Sequence, residues 1–549
     1  MMDAPDLQFV REPVEAEWIE AGEQSQPVRE HQSALGETRD ALRSGGAGGQ
    51  VRVLRAAAWL VAVAVLVAAL GRLAPVVRDQ IAAPFDLISE GPHLSTVKAI
   101  REGFNIYDPA TVLDLPFHAS PYTPLYHWLV AQLPQRPGNP FVTGRVVALL
   151  FMAGAAATLF TVVRREMLPA AMLALGCFVL LHPVTGNTAY LRSDSMALCC
   201  SVWAVVAAAR GRRGGTVAAA VLATTAVAAK QSFYAAGGAC VLFLLLERRT
   251  PLFLLVAGTT AALLALAATL RWGTGFWFCT TLPLTDYPRD WESFFVHWRM
   301  MFAQPIFVLL AVSAAGLLAI TLWRAPRTLA RSPYFPYMAC SWVGQTLLMS
   351  GIGAENHNLI EPALATLLWA LATLRDGRVF STSPPGVVRA GIVAVICAIV
   401  FCVGLELSNP RWRDYAYTTP AHTAAYVSTR AEIRRALADL GLMGGQALNI
   451  KNSQVAHDFD VRINVNDPWM YITVLWQSRP ETERRLTRAI ETQYFDVVLT
   501  APGLVSAAGQ TLDNPTQRLI RTIFRHYRVA RRGIEVNVLT RIPNAAADR

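Results

Sequence analysis

The sequence reads RAAAWLVAVAVLVAALGRLAPVV at positions 55–77. An α-helix of about 20 apolar residues crosses the hydrocarbon core of a bilayer, so this stretch predicts a membrane span. Similar stretches recur along the chain and, with the first, number about eleven. They lie at 55–77, 142–163, 168–184, 195–209, 216–230, 232–247, 251–270, 302–323, 333–351, 358–375 and 387–407. The sequence therefore predicts a mainly α, polytopic membrane protein.

The composition agrees with a membrane protein and argues against a nucleic-acid-binding one. Of 549 residues, 53% are hydrophobic and only 16% are charged, which is more apolar than a soluble domain normally is. The formal net charge is +10, but the arginines cluster beside apolar stretches, where they orient spans. We therefore expect a lipid bilayer as a partner and no nucleic acid.

The basic loops predict the orientation of the spans. Clusters of arginine fall at 164–165, 210–213, 247–249, 324–331 and 375–378, and they alternate with loops that contain fewer basic residues. Short loops rich in Lys and Arg stay in the cytoplasm, and these clusters share one side if every apolar stretch crosses. We expect a multi-pass protein of the cell membrane, with a cytoplasmic N-terminus and an extracytoplasmic C-terminal region.

Three regions are predicted along the chain. Residues 1–54 have the composition of a disordered cytoplasmic tail, and 55–407 would form the transmembrane domain. Its first outer loop, 78–141, contains an amphipathic helix near 92–103, and loops of about sixty residues are usually functional. After 408, helical patterns near 428–442, 481–493 and 515–526 alternate with strand patterns near 446–450, 495–500 and 534–540. This alternation predicts a small α/β domain over 408–549, outside the membrane.

Polar side chains cluster where the predicted spans reach the outer face. Charges beside hydrocarbon are costly, so each is a candidate for function. Asp86 and Glu90, in FDLISEGPH at 85–93, lie four residues apart and would share one face if that stretch is helical. Paired carboxylates can supply a general base and a ligand for a metal or a hydroxyl group. The alternative is an ordinary pair of solvated loop acids.

Three further motifs contribute candidates for binding substrate or phosphate. They are Tyr122 and Tyr126 in YTPLYHW at 122–128, then Arg192, Asp194, Lys230 and Gln231, and finally Glu355, Asn358 and Glu361 in GAENHNLIE at 353–361. Cations at this face could neutralise a lipid phosphate. An aromatic belt, snorkelling cations and helix capping are the structural alternatives for the three motifs.

The order and sidedness of these motifs resemble the GT-C superfamily of polyprenol-dependent glycosyltransferases. The resemblance covers roughly residues 55–410 and is closest to the branch of protein O-mannosyltransferase-like and aminoarabinose-transferase-like bacterial enzymes. It implies a polyprenyl-phosphate sugar donor, transfer with inversion, and a glycan, lipid or protein acceptor in the cell envelope. A donor of this kind carries its own leaving group, so the absence of a Gly-rich nucleotide-binding fingerprint is consistent with it.

The resemblance also implies roles for individual residues. Asp86 would deprotonate the acceptor hydroxyl, Glu90 would hold the substrate or a divalent cation, and Arg192 and Lys230 would stabilise the departing phosphate. Some relatives have a lysine where this chain has Thr123, so either the charge for the phosphate comes from elsewhere or the donor is held differently. We assign no metal ligand and no certain cofactor, because Leu87 stands where a second adjacent acid would be expected; a divalent cation stays open.

Two other functions fit parts of the pattern. A transporter or flippase would also have many spans, but transport sites usually lie near the bilayer midplane. A scaffold for glycan assembly is the second alternative. The sugar, the acceptor, the oligomeric state and the role of the C-terminal domain do not follow from the sequence.

The predicted topology can be tested by thiol labelling. In protein whose eight native cysteines are replaced, Asp86→Cys should react with a membrane-impermeant reagent added outside the cells, because the basic loops face the cytoplasm. An Arg212→Cys control should react only after permeabilisation. Labelling of position 86 from the cytosolic side alone would contradict this topology.

Overall fold

The structure is a computed structural model that describes most of the chain. The described residues are 47–84, 87, 90–118, 120–285, 289–351, 356–377, 385–409, 420–450, 462–463, 465, 471, 479–500, 515–532 and 537–543. Asp86 and Glu355, and most of the predicted N-terminal tail, lie outside them. The chain divides into two units, Met1–Leu60 and Val61–Arg549, and the described candidate site residues all belong to the second.

Helices dominate the described residues up to the last predicted span. The helices are α1 (Ala47–Ala82), α2 (Glu90–Arg101), α3 (Pro109–Leu113), α4 (Leu125–Gln132), α5 (Val142–Thr161), α6 (Leu168–Leu180), α7 (His182–Asn187), α8 (Asp194–Ala209), α9 (Arg213–Ala229), α10 (Ala235–Leu246), α11 (Thr250–Trp272), α12 (Gly275–Thr285), α13 (Trp291–Phe302), α14 (Pro305–Arg324), α15 (Pro326–Ala330), α16 (Tyr334–Leu348), α17 (Ile360–Asp376) and α18 (Pro385–Ser408). Short 3-10 turns at Arg165–Met167 and Asn356–Leu359 precede α6 and α17.

Every stretch predicted to span the membrane lies mostly within one of these helices. Among the described residues, four segments are long and apolar enough to cross a bilayer by length and composition: Arg52–Ala82, Val142–Thr161, Thr250–Trp272 and Pro305–Arg324. Shorter apolar helical segments lie at Asp194–Ala209, Arg213–Ala229, Ala235–Leu246 and Val393–Ser408. A mainly helical membrane protein is therefore confirmed, whereas the number of spans and their orientation stay predictions.

The surface of α11 shows why this protein needs a bilayer. Leu255, Leu263 and Leu270 are 68%, 62% and 78% exposed, and leaving such side chains in water is unfavourable. Contact between helices is made by small residues instead: Ala219, Ala223 and other alanines of α9 are buried where α9 packs along α8. Small side chains let helix backbones approach closely, which is how helices associate in lipid.

The predicted outer loops contain more helix than their sequences indicated. The amphipathic helix expected at 92–103 is α2, which begins at Glu90, while α3, α4, α12 and α13 were not predicted. The last two fill the loop predicted at 271–301. Aromatic residues of α13 explain its position, since Trp298 stacks on Trp342 of α16 at 6.0 Å between ring centroids.

A small mixed sheet lies in the region after α18. Its strands are β1 (Gln446–Asn449), β2 (Arg462–Ile463), β3 (Val497–Thr500), β4 (Tyr527–Arg531) and β5 (Asn537–Arg541), and helices α19 (Pro420–Asp439), α20 (Pro480–Glu491) and α21 (Pro515–His526) accompany them. The spatial order is β2-β1-β3-β5-β4, with β1 parallel to β2 and β3, and β5 antiparallel to β3 and β4. The three predicted strands and three predicted helices are present, whereas β2 and β4 were not predicted. The domain boundaries at 54, 407 and 408 stay predictions.

Gly275, the first residue of α12, packs against the first outer loop and provides a test of this packing. A Cβ atom on Gly275 would lie 1.8 Å from the carbonyl oxygen of Tyr107 and 2.8 Å from Cδ of Pro109. Gly275→Ala should therefore lower the stability of the purified protein by about 1–3 kcal/mol, measured by unfolding in detergent. Gly258→Ala in α11 is the control, because no atom lies within 4 Å of its added Cβ. Equal stability of the two variants would contradict the described packing.

Candidate active site

A buried ion pair joins the first outer loop to the helices. Glu90 is the first residue of α2, Arg145 lies in the first turn of α5, and both side chains are 0% exposed. Arg145 Nε donates to Glu90 Oε1 at 3.0 Å, and Arg145 Nη2 contacts Oε2. Two parallel contacts between a guanidinium and a carboxylate make the strong, bidentate form of the interaction.

The two side chains of this pair also make hydrogen bonds to backbone groups in three other parts of the chain. Glu90 Oε1 also accepts the N–H of Leu191 at 2.6 Å, and Oε2 accepts the N–H of Leu87 at 3.1 Å. Arg145 Nη1 donates to the carbonyl oxygen of Gln80 at 2.7 Å, near the end of α1. The described contacts of Glu90 are therefore structural. Its predicted role in holding substrate or a cation stays a prediction.

The described residues give no support for a metal centre. Among them, no group of three or more His, Cys, Asp and Glu side chains is placed to hold a metal ion. Both oxygens of Glu90 already accept hydrogen bonds.

Four charged or titratable side chains meet beside this pair and form what we call the charged cluster: Arg192, Asp194, Lys230 and His357. Lys230 Nζ lies 2.5 Å from Asp194 Oδ1, and His357 Nε2 lies 3.5 Å from the same oxygen. Arg192 Nη1 lies 3.4 Å from His357 Nδ1. Each side chain of the two ion pairs is between 10% and 17% exposed, so the cluster is enclosed but reachable.

Helix connections explain why residues so distant in sequence meet here. Asp194 begins α8, α9 returns beside α8, and Lys230 immediately follows the last residue of α9. In a pair of adjacent antiparallel helices, the first residue of one and the last of the other lie at the same end. His357 belongs to the 3-10 turn that leads into α17. The predicted motifs around 192 and 230 are thus brought together.

The first outer loop supplies an aromatic ring to the charged cluster. The Tyr122 ring centroid lies 6.0 Å from Lys230 Nζ, a cation–π distance. Gln231 fastens the adjoining backbone, because its Nε2 donates to the Pro121 carbonyl at 2.7 Å and its Oε1 accepts the N–H of Thr123 at 3.4 Å. Gln231 therefore positions the loop, and Tyr122 faces the cluster. The predicted roles of both residues in binding substrate or phosphate stay predictions.

Two histidines that were given no predicted role lie behind Tyr122. His93 Nδ1 and His127 Nε2 are 2.7 Å apart, and the His93 ring stacks on Tyr122 with 4.9 Å between centroids. Burial lowers the pKa of His127 to about 4. Burial also holds the pKa of His93 well below its usual value, and the nearby His127 and Arg192 add to that effect. Both rings are therefore neutral at physiological pH, and they can share one hydrogen bond.

The other predicted site residues lie outside the described charged cluster. Tyr126 is buried and donates to the Gly144 carbonyl at 2.9 Å, and burial raises its pKa well above the usual value. Glu361 is buried in a separate group, where it accepts from Tyr337 at 3.0 Å and from Gln345 at 2.7 Å. Asn358 follows His357 in the same 3-10 turn.

Comparison with solved structures identifies the fold. The chain is similar to ArnT from Cupriavidus metallidurans bound to undecaprenyl phosphate, with a TM-score of 0.54 and 13% sequence identity over 91% of this chain and 99% of ArnT. The apo structure of the same protein gives a TM-score of 0.52 and 14% identity over the same shares. No known protein family and no curated protein matches the sequence. The chain thus has a fold similar to that of ArnT, as the predicted resemblance implies.

The Glu90–Arg145 pair should be essential for folding because each partner is buried. Glu90→Gln leaves the Arg145 charge without its counter-ion, and breaking a buried pair in this way costs about 3–5 kcal/mol. The measurement is the stability of the purified protein in detergent. The double variant Glu90→Gln with Arg145→Gln should recover part of the loss, because no charge is then left unpaired.

Glu102→Gln is the matched control, since Glu102 pairs with Lys98 at the surface, 3.8 Å away and 46% exposed. Removing such a pair should change stability by less than about 1 kcal/mol. A loss in Glu90→Gln no larger than in this control would show that the buried pair does not hold the site together.

Proposed function

We propose that this protein transfers a glycosyl residue from a polyprenyl-phosphate donor to a glycan, lipid or protein of the cell envelope, at the extracytoplasmic face and with inversion. The observation that carries the proposal is the charged cluster. In it, Lys230 Nζ lies 2.5 Å from Asp194 Oδ1, and Arg192 Nη1 lies 3.4 Å from His357, whose other ring nitrogen lies 3.5 Å from the same carboxylate oxygen. Two cationic side chains held in a partly desolvated site favour an anionic ligand.

The nature of the donor makes such a site useful. A polyprenyl-phosphate sugar has one negative charge on its phosphodiester, and the leaving polyprenyl phosphate gains a second as the glycosidic bond breaks. Cations already held in place stabilise the developing charge without having to reorganise. In the proposed arrangement Lys230 and Arg192 face the phosphate and Tyr122 lies beside Lys230. The likeness to an ArnT structure bound to undecaprenyl phosphate supports this class of ligand.

The remaining chemistry needs one base. The proposed base is Asp86, which takes the proton of the acceptor hydroxyl as that oxygen attacks the anomeric carbon. The bond between this carbon and the phosphate oxygen breaks, and its electron pair remains on the phosphate. Attack from the side opposite the leaving group inverts the anomeric centre. Asp86 is next in sequence to Leu87, whose N–H donates to Glu90, so the buried ion pair anchors the residue beside the proposed base.

Two variants test binding and chemistry separately. Lys230→Met, in protein reconstituted into lipid nanodiscs, should bind undecaprenyl phosphate about 10- to 100-fold more weakly, because a charge-assisted contact is lost. Asp86→Asn should bind it with the affinity of the wild type. In a strain that lacks the chain, Asp86→Asn should also fail to restore the missing envelope sugar, and the lipid-linked donor should accumulate, as shown by mass spectrometry.

Lys98→Met is the matched control for Lys230→Met, since Lys98 is 61% exposed and pairs with Glu102 on the surface. It should bind and complement like the wild type. Complementation by Asp86→Asn at the wild-type level would overturn the proposal and would favour a scaffold. Wild-type protein that does not bind undecaprenyl phosphate would overturn the choice of donor.

A further inference from the structure

The region after the last predicted span contacts the first outer loop through a buried tyrosine. We call the described residues from Pro420 onward the C-terminal segment. Within it Tyr471 is 1% exposed, and its hydroxyl donates to the carbonyl oxygen of Val112 at 2.9 Å. Its ring meets the ring of Phe117 edge to face, with 5.4 Å between centroids. Tyr471 is therefore part of the packing of the loop.

A second contact is placed farther out. Arg485 Nη1 lies 2.8 Å from Asp114 Oδ2, and the two side chains are 43% and 51% exposed. Exposed pairs of this kind contribute little free energy. Of these two contacts, the buried one made by Tyr471 should therefore be the stronger constraint on the loop.

The loop needs such a constraint because its own regular structure is short. Helix α3 has five residues, and the turn after it depends on two hydrogen bonds, Phe117 N–H to Asp114 at 2.7 Å and His118 N–H to Thr111 at 2.8 Å. Phe117 has φ of 51°, a left-handed conformation that side chains with a Cβ rarely adopt. A conformation like this persists when its surroundings fix it, and Tyr471 is one of those surroundings.

The same loop leads to the charged cluster. Tyr107, just before α3, is buried between Trp272 and Phe276, and its hydroxyl donates to the carbonyl oxygen of Tyr122 at 2.5 Å. The Tyr122 ring then faces Lys230. Val112 and Phe117, which contact Tyr471, thus lie in the chain between Tyr107 and Tyr122, and Tyr122 faces the proposed phosphate site.

We propose that Tyr471 is a positioning residue. Through Val112 and Phe117, the C-terminal segment fixes residues 107–122 and so holds Tyr122 against Lys230. The segment then sets the affinity of the cluster for its phosphate ligand. The effect on the ligand depends on the proposed function, whereas the effect on the loop does not.

Tyr471→Phe tests this, because it removes the hydroxyl and keeps the ring. Amide hydrogen exchange in peptides covering 108–118 should be at least about fivefold faster, since local opening is no longer opposed by that hydrogen bond. Exchange in β3 and β5 should not change. Undecaprenyl phosphate should bind to the variant in nanodiscs about 3- to 10-fold more weakly.

Two control variants accompany this experiment. Tyr494→Phe removes a hydroxyl from the same segment at a tyrosine that is 41% exposed, and it should leave exchange and binding unchanged. Arg485→Ala removes the exposed ion pair and should change both by less than about twofold.

The outcomes separate this proposal from the proposed function. Unchanged exchange at 108–118 in Tyr471→Phe would overturn the positioning role. Exchange that is equally faster in β3 and β5 would also overturn it, because it would show a general loss of stability. Faster exchange confined to the loop with unchanged ligand affinity would overturn the link to the phosphate site. If wild-type protein binds no undecaprenyl phosphate, the proposed donor fails, and the exchange measurement still decides whether Tyr471 holds the loop.

Discussion

The ion pair between Glu90 and Arg145 is the constraint on which the site depends. A carboxylate without solvent exposure is stable only when its charge is balanced and its oxygens accept hydrogen bonds. Here both conditions are met by parts of the chain that are far apart: α1, α2, α5 and the turn before α8. Because Leu191 donates to Glu90, the next residue, Arg192, is placed by the same pair that anchors Leu87. The ion pair thus anchors Leu87, which follows the proposed base, and Leu191, which precedes a proposed phosphate contact.

The charged cluster is built on the ends of helices rather than along them. Residues at helix ends can carry charge because they reach the edge of the hydrocarbon, whereas the same charges at mid-helix would be buried in lipid. Asp194 holds Lys230 in a defined place, and His357 approaches the same carboxylate oxygen. A single carboxylate oxygen thus orders both side chains. An arrangement of this kind suits recognition of a phosphate better than passage of an ion through the membrane.

The sequence predicted helices and strands from local patterns, but it did not predict which residues far apart in the chain would pair. The apolar stretches and the strand patterns at 446–450 and 495–500 depend on neighbouring residues, and each corresponds to an observed element. The pairs Glu90–Arg145 and His93–His127 join residues 55 and 34 positions apart, and no local period marks such pairs. One signal for Arg145 was present, since an arginine in the first turn of an apolar stretch is costly without a partner. Glu361 was recognised in the sequence as a polar residue at the start of an apolar stretch. Its hydrogen-bond partners, Tyr337 and Gln345, were not predicted, and they place it in a separate group.

The position of Thr123 explains how this chain can differ from relatives that have a lysine there and still bind a phosphate in our proposal. The Thr123 N–H donates to Gln231, and its hydroxyl lies 3.5 Å from the carbonyl oxygen of Val227, so the residue fastens the loop to the end of α9. A lysine side chain at 123 would replace that short hydroxyl contact with a long, flexible cation. Lys230 supplies a cation from the end of α9 instead, beside the ring of Tyr122. In our proposal the cation therefore comes from the end of the helix to which the loop is fastened, and the loop positions the site.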